Sequence, residues 1–238
     1  WDKMGEAMIK KWENLPLFLQ TEEVRPYYEI LAKKQGALKR KRIMDLCGSL
    51  VLTVVLSPIM LIIAIAIKLE DGGPVFFRQE RITTNGRSFR IFKFRTMIVD
   101  ADKKGPLVTG KSDGRITKVG SKLRHLRLDE LPQVLNIVVG DMSFVGTRPE
   151  VKKYVDQYTN EMCATLLLPA GVTSLASIKF KEEDELIAKY IEQGESTDEA
   201  YLKHILPRKM RYNLDYLKKA GVVGDIKIMI KTVLEVIK

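Results

Sequence analysis

An apolar run without a single charge, residues 46–67, constrains this chain more than any other feature of its sequence. About twenty such residues are long enough to cross a hydrocarbon core roughly 30 Å thick as one helix. Two details argue against a plain crossing. Ser57 and Pro58 stand at the centre of the run, where the missing amide and the ring of proline kink or break a helix. Basic residues also crowd both flanks, with Lys39, Arg40, Lys41 and Arg42 before it and Lys68, Arg78, Arg81, Arg87 and Arg90 after it. Lysine and arginine are retained on the cytoplasmic side of a bilayer, so both ends are drawn to one face. A re-entrant helix-break-helix that dips into one leaflet and returns satisfies this. The Ser57 hydroxyl can then bond a carbonyl that the proline frees, and Lys41 and Arg42 become membrane-interface residues. The residues alone leave two alternatives open, a kinked crossing helix and a buried helix of a soluble core.

Three regions follow from this reading. Residues 1–36 form an appended helical arm interrupted at Pro16 and Pro26, residues 37–70 the basic junction and membrane hairpin, and residues 71–238 a cytosolic domain. Past Gly72-Gly73-Pro74, residues 75–82 and 88–97 are rich in Phe, Arg and Ile. They flank Thr83-Thr84-Asn85-Gly86, whose Asn-Gly pair predicts a short β-hairpin. The polar stretch 100–120 reads as a loop able to cover a site. Helices are expected over 121–127, 129–139, 151–167, 183–193 and 206–219. In residues 225–238, Ile226, Met229, Ile230 and Val233 recur at helical spacing with Lys227 and Lys231 among them. That is an amphipathic helix suited to a membrane interface or, equally, a terminal helix packed on the core. The fold class is therefore α+β and mostly helical, with a re-entrant membrane element, interfacial amphipathic helices and one hairpin.

Charge narrows the partners. With 40 Lys and Arg against 30 Asp and Glu, the net charge is +10, which calls for a polyanion: nucleic acid, an acidic bilayer or a phosphorylated substrate. The basic residues gather beside the apolar run and around one acidic pair, and no nucleic-acid motif is present, so nucleic acid is not expected. Cys47 and Cys163 form no CxxC pair, and His125 and His204 are too far apart for an imidazole metal centre. A reducing, cytosolic setting follows.

The acidic pair is Asp129-Glu130, placed where a helix is expected to begin, with Pro132 in its first turn. One reading makes Asp129 an N-cap and Glu130 a partner of the helix dipole, together contributing about 1 kcal/mol. The other makes one carboxylate a nucleophile on phosphorus and the second a ligand of Mg²⁺, which takes one or two carboxylates plus phosphate oxygens. Arg124, Arg127 and Arg148 supply guanidinium forks that phosphates favour, and Gly146 and Pro149 form a stiff turn carrying Arg148.

Several runs, in order, resemble a known family. They are Lys41-Arg42-Ile43-Met44-Asp45, the apolar run with Ser57-Pro58, and Gly73-Pro74-Val75-Phe76-Phe77-Arg78-Gln79-Glu80-Arg81. Phe89 to Met97, Leu128-Asp129-Glu130-Leu131-Pro132-Gln133, and Gly140-Asp141-Met142-Ser143-Phe144-Val145-Gly146-Thr147-Arg148-Pro149 complete the set. Together they resemble the bacterial sugar transferase family of monotopic phosphoglycosyl transferases. The resemblance implies a membrane helix broken at Ser57-Pro58, on the cytoplasmic face of a bacterial inner membrane. It implies Asp129 as nucleophile on the β-phosphate of a UDP-sugar, with UMP released, and Glu130 as the partner carboxylate that helps hold Mg²⁺. Undecaprenyl phosphate, a polyprenol phosphate in the membrane lipid, would then take the sugar phosphate in a ping-pong cycle that initiates glycoconjugate assembly. Arg124, Arg148, Pro149, Lys93, Arg95, Asn136 and Asp141 are the candidate phosphate and nucleotide contacts, and a homodimer is allowed. One departure stands out. Where the family carries Arg-Pro-Gly-Ile-Thr-Gly-Trp-Ala-Gln, this chain has Leu168-Pro169-Ala170-Gly171-Val172-Thr173-Ser174-Leu175-Ala176-Ser177. The alternatives are a non-catalytic, basic, membrane-tethered binding protein and a phosphohydrolase that uses water in place of Asp129.

Overall fold

The fold was obtained as a computed structural model that describes residues 9–101 and 114–237. Most of the polar stretch expected to cover a site, residues 102–113, lies outside them, as does the start of the arm. The described part of the arm holds two 3-10 turns, Trp12–Asn14 and Leu17–Leu19, and helix α1 (Arg25–Ala32), whose Pro26 falls in the first turn, where it is tolerated. Leu15, Leu19, Val24 and Leu31 are fully enclosed and share one hydrophobic cluster with Leu214, Leu217 and Ala220 near the other end of the chain. Packing against the core, which sequence could not show, ties this segment down.

Helix α2 (Gln35–Asp71) runs for 37 residues, about 55 Å, through Pro58. The hydroxyl of Ser57 donates to the Val54 carbonyl at 2.8 Å, the acceptor that the amide four residues on would have used had it not belonged to proline. The expected break is thus a substituted hydrogen bond within an unbroken helix. A left-handed Gly72 (φ 71°) ends it. Both ends are anchored. Leu38, Lys41, Asp45 and Ser49 are buried near the start, and Ile63 and Ile67 pack with Phe94 and Leu123 near the finish. Between them Leu50, Val51, Val54, Val55, Leu61 and Ile62 are exposed.

Lys41 and Arg42 correct the sequence reading. Lys41 is buried, and its ammonium donates to Asp225 (2.5 Å), Ser143 Oγ (2.5 Å) and the Val145 carbonyl (2.9 Å). Arg42 donates to the carbonyls of Ile137 and Val138. The first turns of α2 lie against the protein, so these cations face partners from distant sequence and not lipid headgroups.

Strands β1 (Phe76–Ile82) and β2 (Ser88–Phe94) form the expected antiparallel hairpin, turned by Asn85 (φ 58°) and Gly86 (φ 75°). Helix α3 (Lys118–His125) and a 3-10 turn (Leu128–Glu130) lead to α4 (Gln133–Val138). Next come β3 (Met142–Val145), the short helices α5 (Lys152–Val155) and α6 (Asn160–Cys163), a 3-10 turn (Ala164–Leu167) and β4 (Ala170–Thr173), which pairs with β3 in parallel. The helix expected over 151–167 is therefore broken, because the Thr159 side chain caps a new start by accepting from the Met162 amide. Helices α7 (Leu175–Lys179), α8 (Glu183–Glu192) and α9 (Thr197–Ala200) are followed by a π turn (Tyr201–Ile205), α10 (Leu206–Lys219) and α11 (Val222–Ile237). Val223, Ile226, Ile230, Val233 and Leu234 of α11 stand exposed as one apolar stripe.

Candidate active site

Asp129 is reached through an irregular turn and not from a helix cap. Arg127 adopts the left-handed region (φ 54°), and the 3-10 turn that follows presents Asp129 and Glu130. Leu128 and Leu131, on either side of the pair, pack against the hydrophobic cluster formed by Ile63 and Ile67 of α2 with Phe94 and Leu123. The apolar residues of the turn thereby hold its two acids at the mouth of a cleft of about 600 Å³, whose wall includes Lys93, Arg124, Arg127 and Arg148. That size suits a small-molecule site.

The two carboxylates are in different states. Glu130 Oε1 accepts from Lys93 Nζ (2.8 Å) and Arg148 Nη2 (2.5 Å), while Oε2 keeps a longer contact of 3.4 Å to Arg148 Nη1. Burial pushes Glu130 up, but the charges of Arg148 and Lys93 outweigh it and hold the carboxyl well below its usual range. Asp129 takes no hydrogen bond or ion pair from another side chain among the described residues. Burial raises its pKa, opposed first by the Lys93 charge and reinforced by Glu130. Burial likewise pulls the Lys93 ammonium down. One carboxylate is locked as an anion and the other is free to react.

Four expected contacts gather here. Lys93 and Arg148 clamp Glu130, Arg124 lines the cleft and donates through Nε to Thr96 Oγ1 at 2.9 Å, and Pro149 fixes the turn after Arg148 while its carbonyl accepts from Arg81. Three do not act as expected. Arg95 borders the cleft, yet its donors are taken by Asp71 (two bonds of 2.5 Å), the Pro74 carbonyl and the Met97 carbonyl, so it clasps the end of α2 to β2. Asn136 is fully buried and brackets β2, accepting from the Phe92 amide and donating to the Arg90 carbonyl. Asp141 pairs with Arg87 at 2.9 Å and does not line the cleft. Arg81 and Gln79 line the cleft and were not singled out. The hairpin register places them on the face of Lys93, since Phe77 lies opposite Lys93 and side chains alternate along a strand.

The divergent segment retains what the turn needs. A Cβ on Gly171 would fall 2.1 Å from the Gly146 amide nitrogen, so only glycine lets β4 lie against the loop carrying Arg148. The Gly171 amide donates to the Thr147 carbonyl (2.8 Å), and Gly146 to the Thr173 carbonyl (3.1 Å).

For Mg²⁺, Asp129 and Glu130 Oε2 are suitable oxygen donors. No group of three or more acidic, His or Cys side chains able to hold an ion exists among the described residues. The pair fits an ion whose remaining ligands are phosphate oxygens, and not one caged by protein alone.

A cationic cleft with one free carboxylate, set beside an exposed apolar helix, defines a phosphate-handling domain. The chain belongs to the bacterial sugar transferase family, whose description matches residues 36–238. It is 33% identical over 196 residues to the UDP-N-acetylgalactosamine-undecaprenyl-phosphate N-acetylgalactosaminephosphotransferase of Aeromonas hydrophila, covering 81% of this chain and 42% of that protein. It is 34% identical over 197 residues to the UDP-glucose:undecaprenyl-phosphate glucose-1-phosphate transferase of Caulobacter vibrioides, covering 82% and 68%. Galactosyl transferase CpsE of Streptococcus agalactiae is 30% identical over 247 aligned positions, covering 98% and 48%. The chain thus spans less than half the length of the first and third of these relatives.

Proposed function

We propose that this chain moves a sugar phosphate from a UDP-sugar to undecaprenyl phosphate, releasing UMP, through a covalent intermediate on Asp129. The observation that carries the reading is the free Asp129 carboxylate beside a Glu130 neutralised by Lys93 and Arg148. A carboxylate attacks phosphorus only where cations offset its repulsion by the phosphates. An Asp129 oxygen bonds the β-phosphorus, the bond from that phosphorus to the bridging oxygen breaks, and UMP leaves with the electron pair. A phosphate oxygen of the polyprenol phosphate then bonds the same phosphorus and displaces Asp129, giving a polyprenyl diphosphate sugar. Arg148 and Arg124 orient the diphosphate and receive its charge. Asp129 and Glu130, with phosphate oxygens of the donor, would hold Mg²⁺, which would supply further charge neutralisation.

The membrane reading rests on α2. Both its ends pack on one protein body, through Leu38, Lys41 and Asp45 at the start and Ile63 and Ile67 near the finish, while exposed apolar side chains recur from Leu50 to Leu69. A helix held to the protein at both ends, with basic residues on both flanks, is read as entering one leaflet and returning, which makes the protein monotopic on the cytoplasmic face. The apolar stripe of α11 lies on the same surface chemistry. Ile63 and Ile67 join this helix to the Asp129 turn, which brings the carboxylate near a lipid-borne acceptor.

The test is incubation with UDP-sugars, polyprenol phosphate and Mg²⁺, following UMP and a radiolabelled sugar phosphate on the protein. UMP release with a trapped adduct, both lost in Asp129→Asn, is the expected result. Release that persists in Asp129→Asn points to direct attack by water or acceptor, and no release from any donor points to a non-catalytic membrane protein.

A further inference from the structure

Beyond Arg148 lies a second cavity, of about 140 Å³, which Asp129 does not line. It shares Gln79, Arg81 and Arg148 with the larger cleft, so the two meet at a common cationic wall. Its volume is below the roughly 300 Å³ at which drug-sized sites begin, enough for one sugar ring and too small for a nucleoside.

The lining is polar and ordered. The Tyr201 hydroxyl donates to Glu150 Oε1 at 2.5 Å, and Lys209 Nζ donates to Glu183 Oε2 at 2.8 Å and to the Tyr201 hydroxyl at 3.3 Å. Arg81 donates to Gln79 Oε1 at 2.6 Å. Glu183 Oε1 and the Gln79 amide nitrogen keep no hydrogen-bond partner among the described residues. An acceptor and a donor thus remain available on a wall where Val151 is the single aliphatic side chain. Alternating acceptors and donors match the vicinal hydroxyls of a sugar, each of which both donates and accepts. Apolar surface, from Val151 and the Tyr154 and Tyr201 rings, is the smaller share of the wall, so a hydroxyl finds more partners there than an acetamido methyl does. Tyr201 opens the π turn, an irregularity frequent at functional sites.

We propose that this cavity is the sugar subsite of the donor and that it selects a neutral hexose with free hydroxyls over a 2-acetamido sugar. The proposal rests on the function given above, with the diphosphate at Arg148 joining a nucleoside in the large cleft to a sugar in the small cavity.

Calorimetry on the full chain in Mg²⁺-containing micelles tests it, with UDP, UDP-glucose, UDP-galactose and UDP-N-acetylglucosamine as ligands. The unaltered chain should bind one of the hexose donors more tightly than the acetamido donor. Glu183→Gln, which keeps the side chain's shape, and Glu183→Ala, which removes the acceptor outright, lie outside the larger cleft and should each weaken that hexose donor by about tenfold and leave UDP within about twofold. Variants that weaken donor and UDP in step, variants that change neither, or an unaltered chain that prefers the acetamido donor would overturn it. If UMP release stands while these binding results fail, the subsite alone is wrong; if the unaltered chain binds no uridine nucleotide, both readings fall.

Discussion

Replacing Lys41 with methionine tests whether the first turns of α2 belong to the protein or to the bilayer. The Lys41 ammonium directs all three of its donors at Asp225, Ser143 and the Val145 carbonyl, and Asp45 lies 3.7 Å away. Asp225 is fully buried. Removing one partner of a buried pair leaves the other charge uncompensated, at a cost of about 3–5 kcal/mol. Here the lower end applies, because the Tyr216 hydroxyl still donates to Asp225 Oδ1 (2.8 Å) and to the Val145 carbonyl (3.1 Å). For a chain of this size each kcal/mol moves the melting temperature by roughly 2–4 °C, so Lys41→Met should lower Tm by about 6–12 °C. Thermal unfolding in nanodiscs reads this directly. Adding Asp225→Asn should recover most of the loss, since the stranded charge is then gone. A Tm unchanged within about 2 °C, together with weaker attachment to acidic vesicles, would refute the buried clasp and restore Lys41 to the lipid surface.

Further outcomes follow from the same geometry. Asp129→Asn should lower UMP release by more than about 10³-fold. Because burial raises the Asp129 pKa in the folded state, the cost of burying its charge is absent below the unfolded-state pKa and sets in as pH rises through the folded one, so the same variant, which carries no charge, should melt higher at pH 7. The acid limb of the rate profile should accordingly lie above the pKa of a free aspartate. Arg95→Lys should leave UDP affinity intact and cost about 1–3 kcal/mol of stability by undoing a bidentate clasp. Arg95 holds Asp71 down at about 2, so the stability from that pair is complete above about pH 4 and is lost as pH falls toward 2; acid titration of the variant should lack that component. Single cysteines at positions 39 and 79 should be labelled by impermeant reagent from the same side of a sealed vesicle, and opposite-side labelling would exclude the re-entrant path.

Local signals were readable and distant ones were not. Asn85-Gly86 forces a left-handed turn and announced the hairpin, and the apolar spacing in Leu206–Lys219 gave that helix its observed limits. Strands β3 and β4 escaped notice because four residues carry too little period, and their pairing depends on Gly146 and Gly171 meeting across the chain. In a run of four basic residues Lys41 looks solvated; its partner Asp225 is 184 positions away. The Asp129-Glu130 pair was visible, as were most of the arginines around it. What sequence withheld was the division of labour: Glu130 locked between two cations, Asp129 unpaired, and Arg95 drawn off to the helix end.

The leading segment has a practical consequence for anyone who wishes to produce the minimal family unit. Starting the chain at residue 36, where the family match begins, strips Leu19, Val24 and Leu31 from their seats over Leu214 and Leu217. The shortened polypeptide would carry an oily scar in addition to the exposed apolar face of α2. Preparations trimmed to that boundary should clump in detergent that keeps the longer form dispersed.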